Sequence, residues 1–360
     1  MRERRSLVVE LEDLDGARGY GESAPFEAPF YSSETTSSAR ACLVEWLLPR
    51  LVGRDVSDTQ ELAELLRDGI RGNEMAKAGV DTAWWDLAAA RQGVPLATLV
   101  TRRLDALGVA PGLVERRDRI ECGVALGIPE HGDLRALRHE VEAALLRGYR
   151  RIKLKVRPGW DVAAVRATRE VMGGAYPEVP LTVDANGAYD LGTHQGALRG
   201  LDALGLLYIE QPLPGNMLWD LAELGRRIAT PVCLDETLTS AAVGRQVLAL
   251  DGPTVWNLKI QRVGGLEEAC RIYALACEAG VRLWAGTMPE TGLGAQAMLA
   301  LACHAGFTYP SDLEPSDRWY PPGTDLVALE MDADGTMPVP SERPSLELAA
   351  RGARLVHETF

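Results

Sequence analysis

From about residue 118 onward the chain keeps a rhythm in which a short β-branched run, a loop and an amphipathic helical stretch recur every ~25 to 30 residues. The runs are ECGVAL, RIKLKV, LTVDAN, LLYIEQ, PVCLDE, TVWNLK, RLWAGT and FTYPSDL. Eight such runs alternating with helices predict a parallel α/β barrel of the (β/α)7β type over residues 118–325. Between two of them, GGLEEACRIYALACEAG sets Leu266, Cys270, Tyr273 and Cys277 at helical spacing, so one face packs on the sheet.

Residues 1–117 follow another pattern. LVVELEDLDGARGYGE reads as a hairpin that turns at Asp15 and Gly16. SARACLVEWLLPRLVG, DTQELAELLRDGI and MAKAGVDTAWWDLAAARQG read as helices, the last stopping at a glycine and carrying Trp84 and Trp85 into a core. An α+β capping domain is expected here. After residue ~325 the period is lost, and 326–360 is expected to be a tail that returns to the capping domain. A chain of 360 residues suits one large and one smaller domain.

Composition excludes several function classes. Fifty-one acidic against thirty-eight basic residues give a net charge of −13, and no stretch interleaves Lys or Arg with aromatics, so nucleic acid is not an expected partner. No apolar run approaches the ~20 residues of a membrane span, and MRERRSLVVELED has no secretory pattern, so a cytoplasmic protein without membrane contact is expected. The six cysteines form no CxxC pair, which argues against zinc ribbons and redox motifs.

The active site of a βα barrel lies at the C-terminal ends of its strands. Strand two ends Lys153-Leu154-Lys155, and period-2 alternation turns both lysines inward. Strands three to six end at Asp184, Glu210, Asp235 and Lys259, at separations of 26, 25 and 24 residues, one βα unit each. Three carboxylates in one mouth repel one another unless a cation sits among them. Oxygen donors without His or Cys favour a hard ion, Mg2+, with Mn2+ as a substitute. An ammonium beside such a cation has its pKa lowered and becomes a usable base. Lys155 and Lys259, from opposite sides of the ring, could then move a proton on the carbon beside a substrate carboxylate, with Lys153 adding positive charge. The five histidines fall in helical or loop stretches and are read as ordinary surface or core residues. Phe26, Phe30 and Tyr31 form either a substrate lid or a cover over the domain interface. Met288 and Glu290, after strand seven, are candidate pocket residues.

Together these residues resemble the muconate-lactonising subgroup of the enolase superfamily. The resemblance spans nearly the whole chain through GYGESAPFEAPFYSSE, NEMAKAGVDTAWWDL, GYRRIKLKV, VDANGAY, IEQPL, LDET, NLKIQRVGG, GTMPETGLG and YPSDLEPSDRWY. It implies Asp184, Glu210 and Asp235 as metal ligands, Lys155 and Lys259 as the acid/base pair, and Asn186 and Glu236 as residues that orient them. MPETGLG (Met288 to Gly294) and SDLEPSDRWY look most like the o-succinylbenzoate synthases of menaquinone synthesis and the similar N-succinylamino acid racemases. Muconate cycloisomerases and dipeptide epimerases fit less well, the latter because Ser311-Asp312-Leu313-Glu314 departs from their Asp-x-Asp. The resemblance also implies a small carboxylate substrate and a homo-oligomer. Family members generally place a further strand and a mobile loop before the piece matching RSLVVELED, whereas here Met1 stands a few residues before it. That implies either a late start or closure by the Phe26–Tyr31 loop and the C-terminal segment. Two other classes remain: a metal-stabilised binding protein, which leaves the lysines unexplained, and a Schiff-base aldolase, which leaves the three acids unexplained.

Overall fold

A computed structural model of the chain describes residues 5–343 together with Leu346 and His357. The hairpin is β1 (Leu7–Glu12) paired antiparallel with β2 (Arg18–Ser23), Leu7 opposite Ser23. Helices α1 (Thr36–Cys42), α2 (Thr59–Arg67) and α3 (Glu74–Gln92) follow. Thr35 caps α1 through a reciprocal pair with Ser38, and Asp58 caps α2 by accepting the Gln60 and Glu61 N–H groups. The single helix expected beyond Cys42 is instead a π-helical turn, Leu43–Leu47, and a 3-10 turn, Leu48–Arg50. Pro49, with no N–H to give, cannot continue the α ladder. Helix α3 is buried along most of its length and receives β2 so closely that a side chain at Gly21 would strike the backbone at Gly79 and Ala83. Val9, Leu43, Leu47, Leu62, Leu66 and Val80 close a separate apolar core over this unit.

Helices α4 (Leu96–Ala106) and α5 (Pro111–Val114) lead to β3 (Arg119–Glu121). The barrel then runs β4 (Gly123–Leu126), α6 (Leu134–Leu146), β5 (Arg151–Lys155), α7 (Val162–Met172), β6 (Leu181–Asp184), α8 (Gln195–Asp202), β7 (Ile209–Glu210) and α9 (Leu218–Arg227). It continues through β8 (Val232–Leu234), α10 (Ala241–Ala249), β9 (Val255–Leu258), α11 (Ile260–Val263), α12 (Leu266–Glu278), β10 (Arg282–Ala285) and α13 (Gly292–Ala302). Strands β4 to β10 form one parallel sheet in chain order. The first predicted run divides at Cys122: β3 pairs with β11 (Thr336–Pro338), and only β4 joins the barrel.

The eighth predicted strand is not a regular strand. FTYPSDL makes only isolated parallel bridges, Phe307 to Leu283 and Ser311 to Cys122, because Pro310 interrupts the ladder. Those bridges still close the ring. Asp312 N–H donates to the Ala285 carbonyl at 2.8 Å on one side, and Gly123 N–H to the Ser311 carbonyl at 2.7 Å on the other.

Beyond the barrel, Arg343 pairs with Asp86 of α3 and donates to the Arg18 carbonyl, also in the capping unit. Apart from Leu346 and His357, the expected return of the tail past Arg343 lies outside the described residues. Among the described residues, no helix is long and apolar enough to cross a membrane.

Candidate active site

The alternation of β5 turns Arg151, Lys153 and Lys155 to one face, and the register sets Lys155 beside Asp184, and Asp184 beside Glu210. Asp235 follows β8 directly, and Lys259 follows β9 as the N-cap residue just before α11. Ligand oxygens of Asp184, Glu210 and Asp235 lie within 4.8 Å of one another, and all three side chains are buried. Lys155 Nζ donates to Asp184 Oδ2 and to Asn186 Oδ1, each at 2.6 Å. Lys259 Nζ donates to Asp235 Oδ2 at 2.9 Å. Lys153 Nζ stands 3.0 Å from Glu210 Oε2 and 2.5 Å from Asp312 Oδ2, over the Trp284 ring.

Asn186 and Glu236 adjoin the same centre. Asn186 N–H donates to Asp184 Oδ1 at 2.9 Å and its side-chain amide to Glu236 Oε1 at 2.8 Å. Asn186 and Gln211, each just past one of the acids, hold positive φ of 43° and 33°, local strain of a kind that clusters at working sites. Gln211 accepts from the Asp235 and Thr237 N–H groups and so ties the end of β7 to the end of β8.

Burial alone pushes every carboxyl here towards its neutral form; the neighbouring charges decide the outcome. Burial opposes ionisation of Asp184, but Lys155 and Lys153 outweigh it and hold the group below its ordinary value. Asp235 is likewise held down, against burial, by Lys259 and Arg262. Glu210 goes the other way, raised by burial and then by Asp184. Glu236 is pushed up to about 7 by burial and Asp235. Burial pulls Lys153 down. Lys155 and Lys259 are instead raised, because Asp184 and Asp235 overcome their burial.

The three acids suit a metal ion on two observations. Their oxygens converge, and Glu210 Oε2, though close to Lys153, receives no hydrogen bond of sound geometry. The donors are all oxygen, which suits a hard dication.

Of the expected pocket residues, Phe26, Tyr31 and Met288 gather into one apolar cluster with Ala24 and Met75. Tyr31 reaches the centre itself: its hydroxyl donates to Asp235 Oδ1 at 3.3 Å and accepts from Lys259 Nζ at 3.2 Å. Glu290 lies on the loop before α13, where its carbonyl accepts from the Tyr320 hydroxyl at 3.0 Å.

Several side chains join the centre in ways the sequence did not show. Arg262 pairs with Asp235 and donates to the Asn257 and Leu238 carbonyls. Asn257 donates to Glu210 Oε1 at 2.9 Å, and Asp312 bridges Arg151 and Lys153. Two of these carried a signal, since Arg151 and Asn257 precede Lys153 and Lys259 by one period-2 step. Arg262 sits past the strand end, where no periodicity applies.

Two family models cover most of the chain: the mandelate racemase / muconate lactonizing enzyme N-terminal domain over residues 1–101, and the enolase C-terminal domain-like family over 136–344. An N-succinylamino acid racemase of Thermus thermophilus is 43% identical, across 94% of this chain and 85% of its own. An o-succinylbenzoate synthase of Geobacillus kaustophilus is 39% identical, across 98% and 90%. A solved structure described as a probable mandelate racemase from Alicyclobacillus acidocaldarius superposes with a TM-score of 0.83 at 37% identity, across 95% of this chain and 86% of that one.

Proposed function

The chain belongs to the enolase superfamily, in its mandelate racemase / muconate lactonizing enzyme branch, and from that premise we propose that it removes a proton from the carbon beside a carboxylate, chiefly as an o-succinylbenzoate synthase and also as an N-succinylamino acid racemase. The observation that carries this reading is the pairing of two lysines with two different members of one buried acid triad, Lys155 with Asp184 and Lys259 with Asp235.

Asp184, Glu210 and Asp235 would hold the metal, Mg2+ with Mn2+ able to replace it, because oxygen-only donors suit a hard ion. When bound, the metal supplies positive charge against the substrate carboxylate and relieves the carboxylate pull that keeps the lysines protonated. Asn186 and Glu236 orient Asp184 and Lys155. In the dehydration, Lys155 Nζ takes the α-proton and returns it to a hydroxyl on the adjoining carbon, which departs as water. Lys259 remains an ammonium and balances the negative charge gathered on the substrate. In racemisation the α-proton leaves to one lysine and a proton arrives from the other. Phe26, Tyr31, Met288 and Glu290 are the proposed substrate contacts. A cytoplasmic homo-oligomer completes the reading, in keeping with a barrel that carries no membrane-crossing helix among its described residues.

The test incubates each enantiomer of an N-succinylamino acid in deuterated water with wild type, Lys155→Arg and Lys259→Arg. Arginine keeps the charge and cannot act as a base, so each substitution should abolish exchange from one enantiomer in particular. Exchange of both enantiomers by both variants would exclude the two-lysine mechanism.

A further inference from the structure

Residues 26–36 form a loop whose neck is closed by the Thr36 N–H donating to the Phe26 carbonyl at 3.0 Å. Glu34 fastens one side of the neck to α3 by accepting the Met75 and Ala76 N–H groups at 2.9 and 3.1 Å. On the other side, Gln261 of the barrel, which is 2% exposed, bonds the backbone at the end of β2. Its Nε2 donates to the Glu22 carbonyl at 2.6 Å and its Oε1 accepts the Ala24 N–H at 3.1 Å. The amide thus spans Ser23 and occupies the positions a neighbouring strand would take at the end of β2. Gln261 stands two residues past Lys259, and the loop it anchors carries Tyr31 back to the Lys259 ammonium.

We infer that Gln261 is a positioning residue for the reaction: it sets the capping domain's loop, and through it the Tyr31 hydroxyl, against Lys259 and not against Lys155. The two bases are therefore unequal in their dependence on the capping domain. Lys155 takes its partners, Asp184 and Asn186, from the barrel, whereas Lys259 shares its site with a residue delivered by the capping loop. This inference rests on the proposed base role of Lys259.

Two measurements on the full-length protein test it. In Gln261→Met, which keeps the bulk and loses both hydrogen bonds, amide hydrogen exchange of residues 22–36 should accelerate at least about tenfold while the barrel strands stay protected. α-Proton exchange should fall about ten- to hundredfold for the enantiomer that Lys259→Arg silences, and by less than about threefold for the other. Combining Gln261→Met with Tyr31→Phe should be no worse than the poorer single variant, since both act through one contact. Gln261→Glu, which can still accept from Ala24 but cannot donate to Glu22, should fall between wild type and Gln261→Met, and it serves the same measurements if the methionine variant does not fold. Unchanged protection of residues 22–36, equal loss for both enantiomers, or additive loss in the double variant would each overturn the inference. A wild type that exchanges neither enantiomer would overturn the proposed reaction instead, and the protection measurement would still judge the anchoring by Gln261.

Discussion

The barrel mouth and the seam between the two domains both bury carboxylates, and two acids of the mouth are treated in the opposite way to those of the seam. In the mouth, Asp184 and Asp235 face Lys155, Lys259 and Arg262 and are held ionised. In the seam, Glu22 and Asp81 face backbone N–H groups at the starts of barrel helices. Glu22 accepts from Thr291 and Gly294 at the start of α13, and Asp81 accepts from Leu266 at the start of α12. Burial raises both, Asp81 to about 7. Gly265 permits that approach: its φ is +126°, and any side chain there would strike the Asp81 carboxyl. Helix N-termini offer only partial positive charge, so burial wins at Glu22 and Asp81, whereas the two cations beside Asp184 and the two beside Asp235 reverse the balance.

The largest effect should come from the mouth. Exhaustive chelation is expected to abolish turnover, and Mg2+ or Mn2+ to restore it, while the seam holds and the fold persists by circular dichroism. Undiminished turnover after chelation would remove the metal from the reaction.

A substitution can break the mouth's charge balance directly. Lys153→Met deletes the cation facing Glu210 and Asp312, and breaking a buried pair in this way should cost roughly 3 to 5 kcal/mol in urea unfolding. A loss under about 1 kcal/mol would mean that the two acids find compensation elsewhere.

The smallest effect sharpens the seam. Asp81 has a folded value of about 7 against an ordinary 3.8, so across that window the folded state keeps a proton that the unfolded chain releases. Its contribution is complete below pH 3.8 and is lost as pH rises through about 7. The depressed acids of the mouth work the other way, contributing above their ordinary value and losing that contribution as pH falls. Asp81→Asn should therefore flatten the decline in unfolding free energy, read from urea melts, between about pH 4 and 7, by an amount on the order of a few kcal/mol or less. A decline unchanged in the asparagine variant would assign it to other groups.

The mouth was legible in the sequence because strand alternation and the βα period determine where Lys153, Lys155, Asp184 and Glu210 emerge. The barrel's closure was legible only in part. FTYPSDL has the composition of a strand, but Pro310 reduces it to bridges. The seam could not be read at all. Glu22 meets Thr291 across 269 residues and Gln261 meets Glu22 across 239, and no local periodicity encodes such a meeting. Tyr31 was legible as a loop aromatic but not as a neighbour of Lys259, since an irregular loop has no period from which to infer its aim.

Those long separations also bear on how the chain is made. On the ribosome, β2 and α3 emerge early, whereas the group that receives Asp81 arrives only as α12 begins and those that receive Glu22 only after α12 has been synthesised. Until then the hairpin and α3 carry two acids without their helix termini, and the end of β2 lacks the amide of Gln261. The first-made part of the molecule is thus among the last to be completed. Contacts of such reach slow folding and leave a newly made capping unit exposed to mispairing, so a fragment ending near residue 117 should fold poorly by itself.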